Sequence, residues 1–220
     1  MQLVIGNKNY SSWSLRAWLL LAANNVPFEE IKIHLSTDST RSQISRYSDS
    51  GRVPVLHDNN LVIWDSLAIC EYVSEQYLNG RGWPADPRAR AIARSCSAEM
   101  HSGFFALREQ MPMNCRAVNR RVTLTEALEN DIQRIDRLWT ALRTEYAEQG
   151  PWLFGEFSIA DCMYAPVAFR FFTYNAAVSE KAHDYMSTLL GQPNMQDWLG
   201  EARMEPEVID DEEAGYKGLF

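Results

Sequence analysis

Three hydroxyls, at Ser11, Ser12 and Ser14 of the stretch YSSWSLR (Tyr10 to Arg16), lie at the seam between an apolar strand candidate and a helix candidate. The strand is Leu3, Val4, Ile5, and the helix runs from about Ser14, with Leu15, Trp18, Leu19 and Ala22 spaced i, i+3, i+4, i+7. Serine is favoured just before a first helical turn, where its oxygen accepts an orphan backbone N–H. The same turn presents free N–H groups and the positive end of the helix dipole, so it stabilises an anion without a charged side chain. A thiolate qualifies.

Two further stretches follow within the first 80 residues. GRVPVL (Gly51 to Leu56) places a Val-Pro step immediately before a strand. WDSLAICEYV (Trp64 to Val73) follows a second short strand, Leu61 to Trp64, and opens a helix with an acid and a serine. In this order the three stretches closely resemble the glutathione-binding domain of the glutathione transferase superfamily. FSIADCMYAPV (Phe157 to Val167) resembles that family's capping-box helix, so the likeness extends over nearly the whole chain.

The resemblance implies glutathione as co-substrate and the reaction it serves. A free thiol has a pKa of about 8.5, so bound glutathione needs a hydroxyl donor or a helix N-terminus to favour its thiolate. Ser-Ser-Trp-Ser-Leu-Arg is similar to the Ser-Ser-Cys-Ser-x-Arg pattern of zeta-class transferases. By that likeness Ser11 takes the thiol-activating role, with Ser12 as its neighbour. Trp13 stands where the zeta class has cysteine, which implies poor service for the dianionic diketo acids of that class and a preference for small apolar electrophiles. Conjugation is the default reaction; hydroperoxide reduction, dehalogenation and isomerisation use the same activated sulfur. The turn holds no cysteine, so dithiol exchange is excluded there and the sulfur must come from the cofactor.

The resemblance also distributes the ligand. A cis Val53–Pro54 bond turns the Val53 N–H and C=O outward to pair with the cysteinyl part of a peptide, like one added strand residue. Ser66 and the helix N-terminus suit the γ-glutamyl carboxylate, and Asp65 its ammonium, although the family more often has Gln or Glu before this serine. Trp13 lies beside the cofactor, and Arg52 or Arg41 is placed for the glycine carboxylate. His101, Phe104, Phe105, Met111, Met113 and Tyr164 are candidates for the second-substrate pocket, with His101 a candidate acid or base. Family members usually pair two subunits, so a homodimer is implied, as is a detoxification role in the cytoplasm. The rival reading is a non-catalytic member of the fold serving as a binding or regulatory module.

The elements that must position these residues alternate at first. Residues 1–78 read as β-α-β-α-β-β-α: strand Leu3 to Ile5, helix Ser14 to Asn24, strand Phe28 to Leu35, a short helix near Arg41 to Tyr47, strands near Val55 to His57 and Leu61 to Trp64, and helix Ser66 to Tyr77. Parallel pairing through a crossover helix, then a hairpin at Asp58-Asn59-Asn60, predicts a mixed four-stranded sheet of thioredoxin type. Residues 79–87 (NGRGWPADP) form a Gly- and Pro-rich linker. Residues 88–220 carry no strand signal and predict an all-helical domain: a long helix Arg88 to Gln110, an amphipathic helix Leu124 to Glu148, a capping box at Ser158-x-x-Asp161, and helices Ser179 to Leu190 and Met195 to Arg203. Asp161 reads as structural.

Composition excludes other classes. The net charge of −8 argues against a nucleic-acid partner, and no apolar run approaches the length of a membrane span. From Glu201 onward seven acids oppose Arg203 and Lys217, so −5 of the −8 lies in an acidic tail, from about residue 205, expected to be solvated and loosely ordered. Cys70, Cys96, Cys115 and Cys162 are scattered without metal-ligand spacing and read as reduced thiols, so no metal is expected.

Overall fold

A strand whose consecutive residues are all apolar has no face to give to water. β1 (Gln2–Ile5) is such a strand, with Leu3, Val4 and Ile5 fully buried at the centre of the sheet in the computed structural model, which describes residues 1–217. α1 (Ser12–Ala23) carries the chain over to β2 (Glu29–Lys32), which pairs parallel to β1. After the short α2 (Thr40–Ile44), β3 (Val55–Asp58) pairs antiparallel to β1 and β4 (Leu61–Trp64) antiparallel to β3, giving the order β2-β1-β3-β4. α3 (Ser66–Tyr77) closes this half. The mixed four-stranded sheet expected from the sequence is therefore present, with the alternating elements in the expected order.

No helix or strand lies between Tyr77 and Pro87. Helices then dominate: α4 (Pro87–Ser102), α5 (Phe105–Gln110), α6 (Glu126–Glu145), α7 (Ile159–Thr173), α8 (Glu180–Leu190) and α9 (Pro193–Met204). A two-residue ribbon, β5 (Arg120–Arg121) with β6 (Tyr216–Lys217), had no strand signal. α7 is buried on all sides from Ile159 to Phe171, the mark of a helix at the centre of its own half. Its entry is held by Asp161, which accepts hydrogen bonds from Ser158 N (2.9 Å), Leu153 N (3.0 Å) and Tyr185 Oη (2.9 Å). Leu3, Ile5 and Leu56 on one sheet face join α1, α3 and the helical half in a single continuous core; Val4, Ile33, Ile44 and Val55 form a smaller cluster on the other face. α1 packs against α3 on one side and α7 on the other, so the helix that begins at the serines is shared by both halves.

Two expectations are corrected. The single helix from Arg88 to Gln110 is broken after Ser102: Gly103 is extended and Phe104 takes a left-handed conformation (φ 57°), held there by its buried side chain. A Cβ on Gly103 would come within 2.9 Å of the Glu99 carbonyl oxygen, and Asp131 of α6 accepts from Leu107 N at 3.0 Å to cap the new helix.

The acidic tail is not a loose solvated run. Glu205 is 4% exposed and accepts from the backbone of Lys8 (2.8 Å) and Asn9 (3.0 Å) and from Lys32 Nζ (3.2 Å). Glu213 accepts from Tyr10 Oη (2.7 Å), Asn114 Nδ2 (2.8 Å) and Arg120 Nη2 (2.7 Å), while Arg116 donates to the carbonyls of Glu205 and Glu207. The tail is ordered because the body supplies the cations and backbone donors that its charges need. Residues 218–220 of the expected tail lie outside the described residues.

Among the described residues no helix is long and apolar enough to cross a membrane, and no group of His, Cys, Asp and Glu is placed to hold a metal ion. All four cysteines are buried and unpaired with one another.

Candidate active site

The start of α1 is fixed before any ligand arrives. Ser11 N donates to Asn7 O at 2.8 Å, and Ser11 is the residue before the first helical turn, yet its side chain does not cap that turn. Its Oγ donates instead to Ser14 Oγ (2.7 Å), which accepts from Gly6 N (3.0 Å). Ser12 is held differently: its Oγ accepts from Arg170 Nη2 of α7 at 2.9 Å, and its own proton has no acceptor among the described residues. Tyr10, just before them, is tied to Glu213 and receives Arg116 Nη2 at 2.8 Å.

These hydroxyls open onto a cleft with two lobes. The first, about 490 Å³, is lined by Tyr10, Ser11, Ser12, Trp13 and Val53 together with Leu35, Thr40 and Arg170. The second, about 620 Å³, is lined by Val53, Pro54, Asp65, Ser66, His101 and Phe105. Trp13, Arg52, Val53 and Arg108 belong to both. Each volume suits a small-molecule ligand. The Val53–Pro54 peptide bond is cis, matching the expectation.

At the far end of the second lobe, Asp65 stands at φ 78°, a conformation that costs a non-glycine residue about 1–3 kcal/mol and is typical of ligand-contacting positions. Its Oδ1 accepts from Leu67 N (2.9 Å) and Ala68 N (3.2 Å), capping α3, and its Oδ2 meets His101 Nε2 at 3.0 Å. Beside it the Ser66 hydroxyl is buried with no partner in the described residues. Buried polar groups are ordinarily paired, so this one marks a place for a ligand acceptor. Burial lowers the His101 pKa, with Arg16 and Arg108 adding to the effect and Asp65 opposing it.

The indole of Trp13 forms the wall between the lobes. The Arg16 guanidinium lies 4.3 Å from its centroid and that of Arg108 4.7 Å, and His101 packs edge-on at 5.2 Å. The ring is thus held by two cation–π contacts.

Of the expected site residues, Ser11, Ser12, Trp13, Arg52, Val53, Pro54, Asp65, Ser66, His101 and Phe105 are brought together in this cleft. Phe104, Met111 and Tyr164 are not; they are 7%, 1% and 0% exposed and belong to the core, as does Met113. Phe104 anchors the break between α4 and α5, and Tyr164 donates to the Cys96 carbonyl at 3.1 Å. Helical spacing of aromatics and methionines here marks packing. Arg41 is exposed on α2 and lines neither lobe.

Sequence reasoning missed Arg16, Arg108, Arg170 and Glu212, all of which line the first lobe. Arg170 carried a signal: it is a lone charge inside the apolar run AFRFF of α7. Arg16 was visible as the last letter of the serine stretch, but its position beneath Trp13 depends on the helix turn.

Residues 10–76 match the family model described as glutathione S-transferase, N-terminal domain, and residues 125–201 the model of the C-terminal domain. Over 61 residues the chain is 41% identical to dichloromethane dehalogenase of Methylorubrum extorquens, covering 27% of this chain and 21% of that protein. Over 94 residues it is 34% identical to a probable maleylacetoacetate isomerase of Caenorhabditis elegans, covering 43% and 44%. The matches therefore span less than half the length of either relative. Among solved structures, a glutathione transferase homolog from Burkholderia gl BGR1 with bound glutathione superposes with a TM-score of 0.70 at 24% identity, covering 93% of this chain and 98% of the other. A bacterial zeta-class maleyl pyruvate isomerase superposes with a TM-score of 0.66 at 22% identity, covering 95% and 100%. Likeness at these identities concerns the fold.

Proposed function

Because the chain belongs to the glutathione S-transferase family, with both domain models matched, we propose that it binds glutathione across the two lobes and uses the thiolate against a small electrophile. The observation that carries this reading is the meeting of the serine turn, the cis Val53–Pro54 step and the unpartnered Ser66 hydroxyl around one cleft.

The γ-glutamyl end takes the second lobe, its carboxylate on the Ser66 hydroxyl and the α3 N-terminus, its ammonium on Asp65. Val53 pairs with the cysteinyl backbone, and Arg52 meets the glycine carboxylate. The sulfur then faces the start of α1. Ser12, whose oxygen already accepts from Arg170, offers its own proton to the sulfur; Ser11 does so once it releases Ser14. Hydroxyl donation and the helix N-terminus together hold the thiolate. The thiol proton leaves to solvent on ionisation; attack then forms the carbon–sulfur bond as an aryl halide expels halide, or as an unsaturated carbonyl shifts its π pair toward the carbonyl and takes a proton from water at the adjacent carbon. The indole of Trp13 and the ring of Phe105 offer apolar contact to the electrophile.

Calorimetric titration of glutathione, followed by a panel of aryl halides, unsaturated carbonyls and hydroperoxides, tests the proposal. Saturable binding with turnover on at least one member is the expected result. Binding without turnover would favour a glutathione-binding module, and no binding would sink both readings. A homodimer pairing the sheet half of one subunit with the helical half of the other is proposed by family likeness; sedimentation at micromolar concentration showing only a 25.2 kDa species would exclude it.

A further inference from the structure

His101 bridges the two halves at the second lobe. It lies in the last turn of α4, and its Nε2 donates at 3.0 Å to Oδ2 of Asp65, the residue that opens α3. Its backbone is pinned as well. Arg108 of α5 donates to the carbonyls of Met100 and His101, the latter at 3.1 Å, and so satisfies the end of α4. The ring itself packs edge-on against Trp13 at 5.2 Å. Asp65, for its part, has little acceptor capacity left. A carboxylate offers about four acceptor positions. Oδ1 uses two on Leu67 N and Ala68 N, and Oδ2 uses one on His101, so one position remains on the only acid among the described residues that line this lobe.

What that carboxylate offers to a cation depends on the proton count of the ring. Neutral His101, with its hydrogen on Nε2, donates to Asp65 and leaves the negative charge in place; an imidazolium cancels it. Protonation also turns Nδ1, which is buried and has no partner among the described residues, into a donor without an acceptor. The surrounding charges act in the same direction. Arg16 of α1 and Arg108 of α5 act on the ring, and Arg52 of the loop before β3 lines the same lobe, against the single charge of Asp65. On α4 itself, Glu99 is engaged by Arg134 of α6 at 2.7 Å. Burial first, then Arg16 and Arg108, lower the His101 pKa against the opposing effect of Asp65, so at neutral pH the ring is uncharged.

We propose that His101 is a proton-operated latch on the amino end of glutathione: neutral, it orients the Asp65 carboxylate for the ligand ammonium, and protonated, it takes that carboxylate for itself and expels the ammonium. This inference rests on the glutathione transferase reading and adds to it a control of affinity by pH. His101 is then a positioning residue for the co-substrate, in place of the acid or base toward the electrophile that its sequence position implied. The effect has one direction. A proton on the ring and an ammonium on Asp65 exclude one another, so affinity is full above the His101 pKa and is lost as pH falls through it. By the same linkage the bound ligand lowers that pKa further.

S-methylglutathione and the same compound with hydrogen in place of its amino group provide a matched pair, since neither carries an ionisable thiol. The readout is the ratio of their association constants, amino over deamino compound, measured by calorimetry; it cancels pH effects common to both, those of Glu212 included. Between pH 7.5 and 5.0 the ratio should fall at least threefold in wild type. In His101→Gln, whose amide still donates to Asp65 but does not titrate, it should stay within about 1.5-fold. A smaller fall in wild type, or an equal fall in His101→Gln, overturns the proposal. Proton NMR supplies a second arm, with the His101 signal identified as the one missing from His101→Gln. Saturation with S-methylglutathione should lower the proton affinity of this ring at least tenfold, and saturation with the deamino compound should leave it unchanged. Equal effects of the two compounds overturn the latch however tightly they bind. Binding of neither compound at any pH removes the glutathione reading and the latch with it, whereas binding of both at a constant ratio removes the latch alone.

Discussion

Arg170 Nη2 donates to Ser12 Oγ at 2.9 Å, so a side chain from the middle of the helical half sets a hydroxyl at the edge of the sheet half. Arg170 is itself fixed, with Nε on the Met111 carbonyl at 2.8 Å and Nη1 on that of Pro166 at 3.3 Å. The Ser12 oxygen has accepted a charged donor and its proton remains free, a polarity that favours donation to a sulfur anion.

Ser11→Ala and Ser12→Ala should each lower kcat, by about 10²-fold where the lost hydroxyl meets the thiolate. The dissociation constant for glutathione should change by no more than about threefold, because the interaction belongs to the ionised sulfur. Ultraviolet titration of the bound thiolate checks the cause: its pKa should rise in whichever variant lost the donor. An unchanged thiol pKa in both would leave activation to the backbone donors of α1.

Glu205→Ala should destabilise the fold by about 3 kcal/mol, since it strips the acceptor from two buried backbone donors and from Lys32. At about 2–4 °C per kcal/mol for a chain of this size, the melting temperature should fall by about 6–12 °C. A change under one degree would return this segment to the status of a solvated tail.

Burial pushes the Asp161 carboxyl up to about 6, against the lowering effect of its hydrogen bonds from Leu153, Ser158 and Tyr185. A folded-state pKa above the unfolded value of about 3.9 means that the native state binds the extra proton. The contribution of this group is therefore fully present below pH about 4 and is lost as pH rises through 6. Asp161→Asn should abolish that loss while costing about 1–3 kcal/mol through acceptors it cannot replace. Chemical denaturation of both proteins at pH 4.5 and 7 measures the difference, which should narrow at the higher pH.

Cys70, Cys96, Cys115 and Cys162 are each nearly or fully inaccessible, and burial pushes the Cys70 and Cys96 thiols up to about 12. Reaction needs an exposed thiolate. Iodoacetamide at pH 8 should leave the native protein unmodified and label all four thiols after denaturation. Rapid native labelling of any would contradict this burial.

Local sequence carried the fold where one pattern outweighed the rest: the uninterrupted Leu3-Val4-Ile5 run, the periodic stripe of α6 and the Ser158/Asp161 box. The helix break at Gly103 was obscured because α4 and α5 keep apolar residues on both sides of it, and the deciding interaction, Asp131 on Leu107 N, comes from another helix. Around the cleft, serine, proline and aspartate announced themselves through backbone rules that act over a few residues. Beyond the lone charge that Arg170 makes in its apolar run, the arginines did not, because the α7 guanidinium reaches Ser12 and the α5 guanidinium reaches Trp13 only through tertiary packing. Phe104, Met111 and Tyr164 show the converse, since residue type alone cannot separate a core lining from a cleft lining.

The carboxylate of Glu205 holds the amides of Lys8 and Asn9, and Glu213 holds Tyr10, across separations of about two hundred residues. Synthesis delivers the N-terminal half first. Until residues 205–213 have emerged from the ribosome, the turn bearing Ser11 lacks these anchors, whatever the sheet has already formed. The turn bearing Ser11 is therefore completed only when residues 205–213 have docked on the folded body, and a nascent chain stalled short of residue 205 leaves the amides of Lys8 and Asn9 without their carboxylate.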